Sequence, residues 1–470
     1  MSTDADLTGP PRAAPSSRAF RRLLYGSIAV FALLALGLVA LNLSQGPRLT
    51  SAQLNVQTSV ERAGQRLLLE SNEVLAPVGD AQISVTPSVG VATTSNQTSI
   101  QVEFTSILEY NTTYTVTATG VKSASQNAES TFSYSFTTPD ANVAFLVPGS
   151  AVSTAEPAPD DRIERASLTG GTTETLYSAP HISRFATMGQ KLVVATTDAD
   201  GYDLLDIITP DGSAAPIPVQ LAGPGTVTGL TASAKSNLFG YTYRAAPSPY
   251  YPTANEQLYI YDTTLGQAFS IPVTGPDHEL LDVTSWFFVP GTTSLVARSP
   301  DGSLYLADVL GLLDGSSGTV GVGSADALQG FVPGTKSLVT ERGGATFTID
   351  FGTPGTPVTA PFTEASGAAG AGSGAGVSPP VQTQTALPLD ASGTVVARSS
   401  DATALVKRDA SASTTVFTTP DGTPITHFCL STNGRYAVTS TSAGTTYIPL
   451  AGSAEPRTFP GSQPDWCSAG

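Results

Sequence analysis

Cysteine is almost absent. Only Cys429 and Cys467 occur in 470 residues, which excludes a disulfide-dense scaffold. Neither belongs to a C-x-x-C, so a cysteine zinc site and a thioredoxin-like motif have no support. Histidine is nearly as scarce. His181, His278 and His427 stand far apart, with no H-x-H or H-E-x-x-H spacing, and a histidine metal centre is not expected. Basic residues number 22 against 38 acidic ones, for a net charge of −16. Nucleic acid needs a basic surface to neutralise its phosphates, so it is excluded as the expected partner. The G-x-S-x-G, Walker and dinucleotide fingerprints are missing, and no cofactor is expected.

Turn and strand chemistry is what the chain has in quantity. Gly and Pro number 45 and 35, and the stretches between them are rich in Val, Thr and Tyr. That composition indicates short strands and turns and excludes a coiled coil or helical bundle. The length favours two or more domains. The fold class expected is all-β.

One long apolar run interrupts this pattern. From Leu23 to Pro47 no residue is charged, and Arg12, Arg18, Arg21 and Arg22 precede the run. About 20 such residues span a bilayer as a helix, and basic flanks stay in the cytoplasm. Residues 23–46 are therefore expected to be a single transmembrane anchor contacting the lipid bilayer. Residues 1–22 would be a disordered cytoplasmic tail, with the bulk of the chain outside the cytoplasm. The rival is a cleaved signal peptide. The run is longer than a usual signal core, and no A-x-A site follows it closely.

Residues 51–139 change to period two. RLLLES, ISVTP, SIQVEFT, TYTVTATGV and TFSYSFTTP alternate or run β-rich, with turn residues between. In TYTVTATGV, Tyr114, Val116 and Ala118 share one face and threonines fill the other, the pattern of a half-buried antiparallel strand. Some six or seven such strands fit an Ig-like sandwich. The phrases ISVTP, LEYNTTYTVTATGV and FSYSFTTP resemble bacterial Ig-like domains of the SbsA type. The resemblance implies a structural spacer without catalytic residues. Asn96 and Asn111 match glycosylation sequons, but ordinary turn asparagines are the preferred reading in a sequence of bacterial character.

From residue 140 a unit repeats. NVAFLV, KLVVATT, NLFGYTY, SLVARS, SLVTER, TVVARS and RYAVTS begin at Asn142, Lys191, Asn237, Ser294, Ser337, Thr394 and Arg435. The starts are 49, 46, 57, 43, 57 and 41 residues apart, and a period of about 40–50 residues with four strands per unit predicts a seven-bladed β-propeller over 140–470. The first copy has no inner strand before it, and SQPDWCSAG at the end has no blade after it. The C-terminal strand is therefore expected to complete the first blade and close the ring. Closure would remove an exposed edge. Cys429 and Cys467 then fall at equivalent positions of neighbouring blades and are expected to form a disulfide, the alternative being two separate buried thiols. FCLSTNGRYAV and QPDWC resemble TolB-type repeats, most of all exported propellers of actinobacteria with unassigned function. The resemblance implies partner binding at the cell envelope and transfers no catalytic residue.

Two insertions depart from the repeat. YRAAPSPYYPTANEQLYIY carries Arg244, Tyr250 and Tyr251 on a Pro-rich loop, a candidate binding loop whose alternative is a decorative hairpin extension. Residues 364–385 are Gly/Ala-rich and read as a flexible insertion. Asp198, Asp200 and Asp203 make a D-x-D-G-x-D frame and are a candidate calcium site, but the Asp-Gly turn alone is preferred. No other metal site is expected. His427 and Cys429 share a strand face, yet a disulfide would consume the thiol.

The expected function is that of a membrane-anchored exported scaffold of the bacterial cell envelope. It would be non-enzymatic and would bind an unknown envelope protein or polymer. The alternative is a hydrolase or lyase in the propeller's central channel, with Asp282, His427 and Asp465 as its scattered candidates.

Overall fold

A computed structural model describes residues 17–43, 46–125, 127–152, 159–171, 173–233, 237–247, 256–266, 269–313, 318–353, 357–364, 386–451 and 454–467. Chain contacts divide it into Met1–Thr138 and Pro139–Gly470.

In the first unit the strands are β1 (Leu49–Gln53), β2 (Gln65–Ser71), β3 (Ile83–Thr86), β4 (Val91–Asn96), β5 (Ser99–Phe104), β6 (Thr113–Lys122) and β7 (Glu129–Thr137). They form two antiparallel sheets, ordered β1-β2-β5-β4 and β3-β6-β7. Period-two alternation puts Ile100, Val102 and Phe104 of β5 inside, with Tyr114, Val116 and Ala118 of β6. The outward threonines pair across strands: Thr113 with Thr137 at 2.8 Å and Thr115 with Ser135 at 2.9 Å.

The second unit is a run of antiparallel meanders. The first sheet has three strands, β8 (Asn142–Val147), β9 (Asp161–Ser167) and β10 (Glu174–Ala179). Six four-stranded sheets follow. The second contains β11 (Ile182–Met188), β12 (Lys191–Thr197), β13 (Asp203–Ile208) and β14 (Ile217–Val219). The third contains β15 (Gly225–Ala232), β16 (Leu238–Ala245), β17 (Glu256–Asp262) and β18 (Ile271–Pro272). The fourth and fifth are β19–β22 and β23–β26, running from Ser285 to Ser324 and from Ala327 to Pro361. The sixth, β27–β30, runs from Ala386 to Thr418. The seventh contains β31 (His427–Leu430), β32 (Tyr436–Thr441), β33 (Gly444–Pro449) and β34 (Arg457–Phe459).

The repeated phrases are mostly second strands, and their continuous apolar runs have a physical cause. In β12, Val193 and Ala195 pack toward the third sheet, while Leu192 and Val194 pack toward the first. A strand covered on both faces reads as an unbroken hydrophobic run. Val296 and Leu295 divide in the same way between two cores.

The expected fold class needs two corrections. Among the described residues no sheet closes on itself and no closed barrel or propeller sheet is formed, so the seven-bladed propeller sealed by a C-terminal strand is overturned. The first sheet keeps three strands. The C-terminal segment adds one bridge, Leu146 with Ser462, because Pro460 and Pro464 lack the N–H a ladder requires. The transmembrane anchor is also overturned. α1 (Ser17–Leu43) is helical, but no helix among the described residues is long and apolar enough to cross a membrane. Arg21 and Arg22 place two charges within its first two turns. The 364–385 insertion lies outside the described residues beyond Glu364, as does most of the 1–22 tail.

Candidate functional site

The C-terminal segment is fastened to three sheets. Leu146 and Ser462 exchange backbone hydrogen bonds of 2.9 and 2.8 Å, and the Asp465 N–H donates to the Ala144 carbonyl at 3.0 Å. Phe459 of β34 stacks on Phe145 of β8 at 4.8 Å. Trp466 lies against Tyr436 and Tyr447. Cys467 is joined to Cys429 of β31, with Cα atoms 5.4 Å apart, so the expected disulfide is present.

This fastening borders a solvent-open cavity of about 250 Å³. Its wall includes Arg184 and Thr187 of β11, His427 of β31, Ser440 of β32, and Gln463 and Asp465 of the C-terminal segment. β11 and β15 are each the first strand of a sheet and pair on one side only, with β12 and β16. Successive residues 184–187 and 230–232 line the cavity. An open strand edge gives that pattern, whereas a strand face would contribute alternate residues.

Several polar groups cross this region. The Arg184 Nε donates to the Val227 carbonyl at 3.1 Å, tying β11 to β15. Gln463 Nε2 donates to the Ser183 carbonyl at 2.9 Å. Asp465 accepts from the Ala144 N–H at 3.1 Å and from the Thr187 hydroxyl at 3.2 Å. Burial nonetheless raises the Asp465 carboxyl to about 7, against the pull of those bonds and of Arg165. Burial, and then the nearby Asp465, hold the Tyr447 phenol well above its usual value. His427 is exposed on β31, and the packing of protein around its ring, then Arg398, push the imidazole down. The Arg184 guanidinium is lowered by burial, which outweighs the nearby charges of Asp203 and Glu256.

Of the sequence-derived enzyme candidates, His427 and Asp465 meet on this wall, whereas Asp282 is absent from it. Asp282 bridges to Gln257, and burial raises its carboxyl. Arg244 lies on β16 and is ion-paired to Glu256, so its guanidinium is engaged within its own sheet. Tyr250 and Tyr251 lie outside the described residues.

The Asp198–Asp203 frame is split by its turn. The Asp198 carboxylate accepts the N–H groups of Asp200 and Tyr202, both at 2.9 Å. Asp203 turns inward, accepting from the Thr197 hydroxyl at 2.9 Å and the Val227 N–H at 2.7 Å. Among the described residues no three His, Cys, Asp or Glu side chains stand together to hold a metal ion. Arg184, Thr187, Ser440 and Gln463 were not among the sequence-derived candidates. The one available signal was Arg184, the only charge in the strand ISRFATM.

Residues 55–138 match the sequence profile of the bacterial Ig-like domain. This stretch is a bacterial Ig-like domain. Ig-like domains of this kind are typical of extracellular bacterial proteins and point to a surface scaffold role. No curated protein matches the chain. Solved structures similar to it include an uncharacterized protein from Listeria monocytogenes EGD-e, at 12% identity and a TM-score of 0.36, covering 60% of this chain and 83% of that one. Apo AztD from Citrobacter koseri is similar at 14% identity and a TM-score of 0.35, covering 66% of this chain and 80% of that one. A chain of the Mitotic Checkpoint Complex is similar at 14% identity and a TM-score of 0.37, with coverages of 62% and 86%. Likeness at this level is silent on function.

Proposed function

We propose that this chain is a non-enzymatic scaffold outside the bacterial cytoplasm, with the Ig-like domain as a spacer and the body of meander sheets binding an envelope protein or polymer. The observation that carries the reading is the Ig-like domain at residues 55–138. The Cys429–Cys467 disulfide agrees with it, since such bonds persist in oxidising compartments outside the cytoplasm. Neither a cofactor nor nucleic acid enters the reading. The test is sedimentation of the full chain with purified bacterial cell-wall polymer and, separately, with washed cell envelopes. Saturable retention without change to the polymer is expected. The absence of retention in both arms overturns the scaffold.

A second reading is a hydrolase or lyase, favoured by His427 and Asp465 lining one cavity. It requires turnover of an envelope polymer that is lost in both H427Q and D465N. Turnover unaffected by these variants excludes this wall as the reacting site.

A further inference from the structure

We propose that the cavity bordered by β11, β15, β31 and the C-terminal segment is a binding site for a small carboxylate, the size of an amino acid or of the terminal residue of a peptide. The inference rests on reading this body as a binding body, and it adds the ligand class and the residues.

Size sets the first bound. A volume of about 250 Å³ holds about eight waters at ~30 Å³ each, which is room for a capped amino acid and too little for a polymer chain. Solvent-accessible polar groups without a protein partner set the second. The Arg184 Nε is spent on Val227, but its two terminal nitrogens have no hydrogen-bond partner among the described residues. The same holds for the Ser440 hydroxyl and the His427 ring, and all three side chains line the cavity. A concave site with a few convergent polar groups is the usual form of a small-molecule pocket. The open edges of β11 and β15 bring main-chain groups to the same wall, which suits a ligand that carries an amide.

Charge selects the ligand. Asp203 and Glu256 lie near Arg184, yet neither takes its terminal nitrogens. Asp203 is held by Thr197 and Val227, and Glu256 by Arg244. Asp465 is likewise held, by Ala144 and Thr187. Arg184 is therefore the cation left to meet a ligand, and its planar fork matches a carboxylate bidentately. Burial keeps the Asp465 carboxyl partly protonated near neutral pH, which reduces its repulsion of a second carboxylate in the same cavity.

The experiment titrates the full chain by calorimetry with four probes: alanine, N-acetylalanine, N-acetylalanine amide and inorganic phosphate. Saturable binding of alanine or N-acetylalanine, with none of the amide, is expected. The alanine arm marks a free amino acid as the source, and the N-acetylalanine arm a peptide terminus. R184Q should weaken binding about tenfold, the scale of one charge-assisted hydrogen bond. S440A should weaken it about threefold with an unchanged melting temperature, and it decides the matter if R184Q fails to fold. Equal binding of the amide, binding of phosphate alone, no binding of any probe, or unaltered affinity in a folded S440A overturns the inference. Retention on cell envelopes despite such a result leaves the scaffold reading standing and removes only this site.

Discussion

Asp465 and the turn aspartates respond to pH in opposite directions, and the cause is where each carboxylate sits. An ordinary aspartate ionises near 3.8, whereas burial raises Asp465 to about 7. Between these values the folded chain holds a proton that the unfolded chain has released. Stability therefore falls as pH rises from about 4 to about 7, then levels. Asparagine keeps an acceptor for the Ala144 N–H and removes the buried charge. D465N is expected to gain about 1–3 kcal/mol at pH 8 and little at pH 4, measured by urea unfolding at both. Equal loss at both pH values would show that the carboxylate stabilises the fold. Asp301 and Asp401 are the reverse case. Hydrogen bonds from Ser299 and Ser399 are the largest causes that lower their carboxyls, with further bonds from Ser303 and Thr403. Their contribution is complete above about 4 and is lost as pH falls through the lowered values. The double variant D301N, D401N should flatten the acid limb of the stability profile, read as the change in melting temperature between pH 6 and pH 3. Asp390 and Asp409 fasten turns in the same way, accepting from N–H groups two residues on.

At the scale of elements, the C-terminal segment depends on one close approach. A Cβ at Gly461 would lie 2.5 Å from Phe145 Cδ2 and 2.8 Å from the Leu146 backbone oxygen, and the backbone cannot yield without breaking the Leu146–Ser462 bridge. G461A is expected to cost about 1–3 kcal/mol, read by chemical denaturation, as overpacking does in a filled core. An unchanged midpoint would mean that Phe459 is not held on Phe145 as described. The same segment shows where sequence reading stops. The strands were legible because their periodicity is local: alternation in TYTVTATGV became β6, and the run KLVVATT became a strand covered on both faces. The pairing of Cys429 with Cys467 was expected from ring closure; the disulfide is present although no closed ring is formed among the described residues. Closure was not legible. It depends on whether one segment can sustain a ladder, and Pro460 and Pro464 limit it to a bridge. The cavity was not legible either. Arg184, Ser440 and Asp465 come from three distant stretches and belong to no motif, so only the fold brings them together.

The whole molecule offers a test that separates its two units. The Ig-like domain contains no cysteine and has its own core around Leu67, Ile100, Val116 and Phe132. The single disulfide lies wholly in Pro139–Gly470, closing a loop of 38 residues between the seventh sheet and the C-terminal segment. Constraining the unfolded chain over such a loop stabilises by about 4 kcal/mol in the entropic picture. Cys467 also lines the cavity, so a small reductant can reach the bond. Calorimetry of the full chain with and without reductant should therefore move one transition down by several degrees and leave the other in place. C467S should reproduce that shift without reductant, which separates loss of the cross-link from other effects of the reagent. A uniform shift of both transitions would mean that the units unfold as one. No shift at all would mean that the noncovalent contacts of Ser462, Asp465 and Trp466 already hold the segment without the covalent bond.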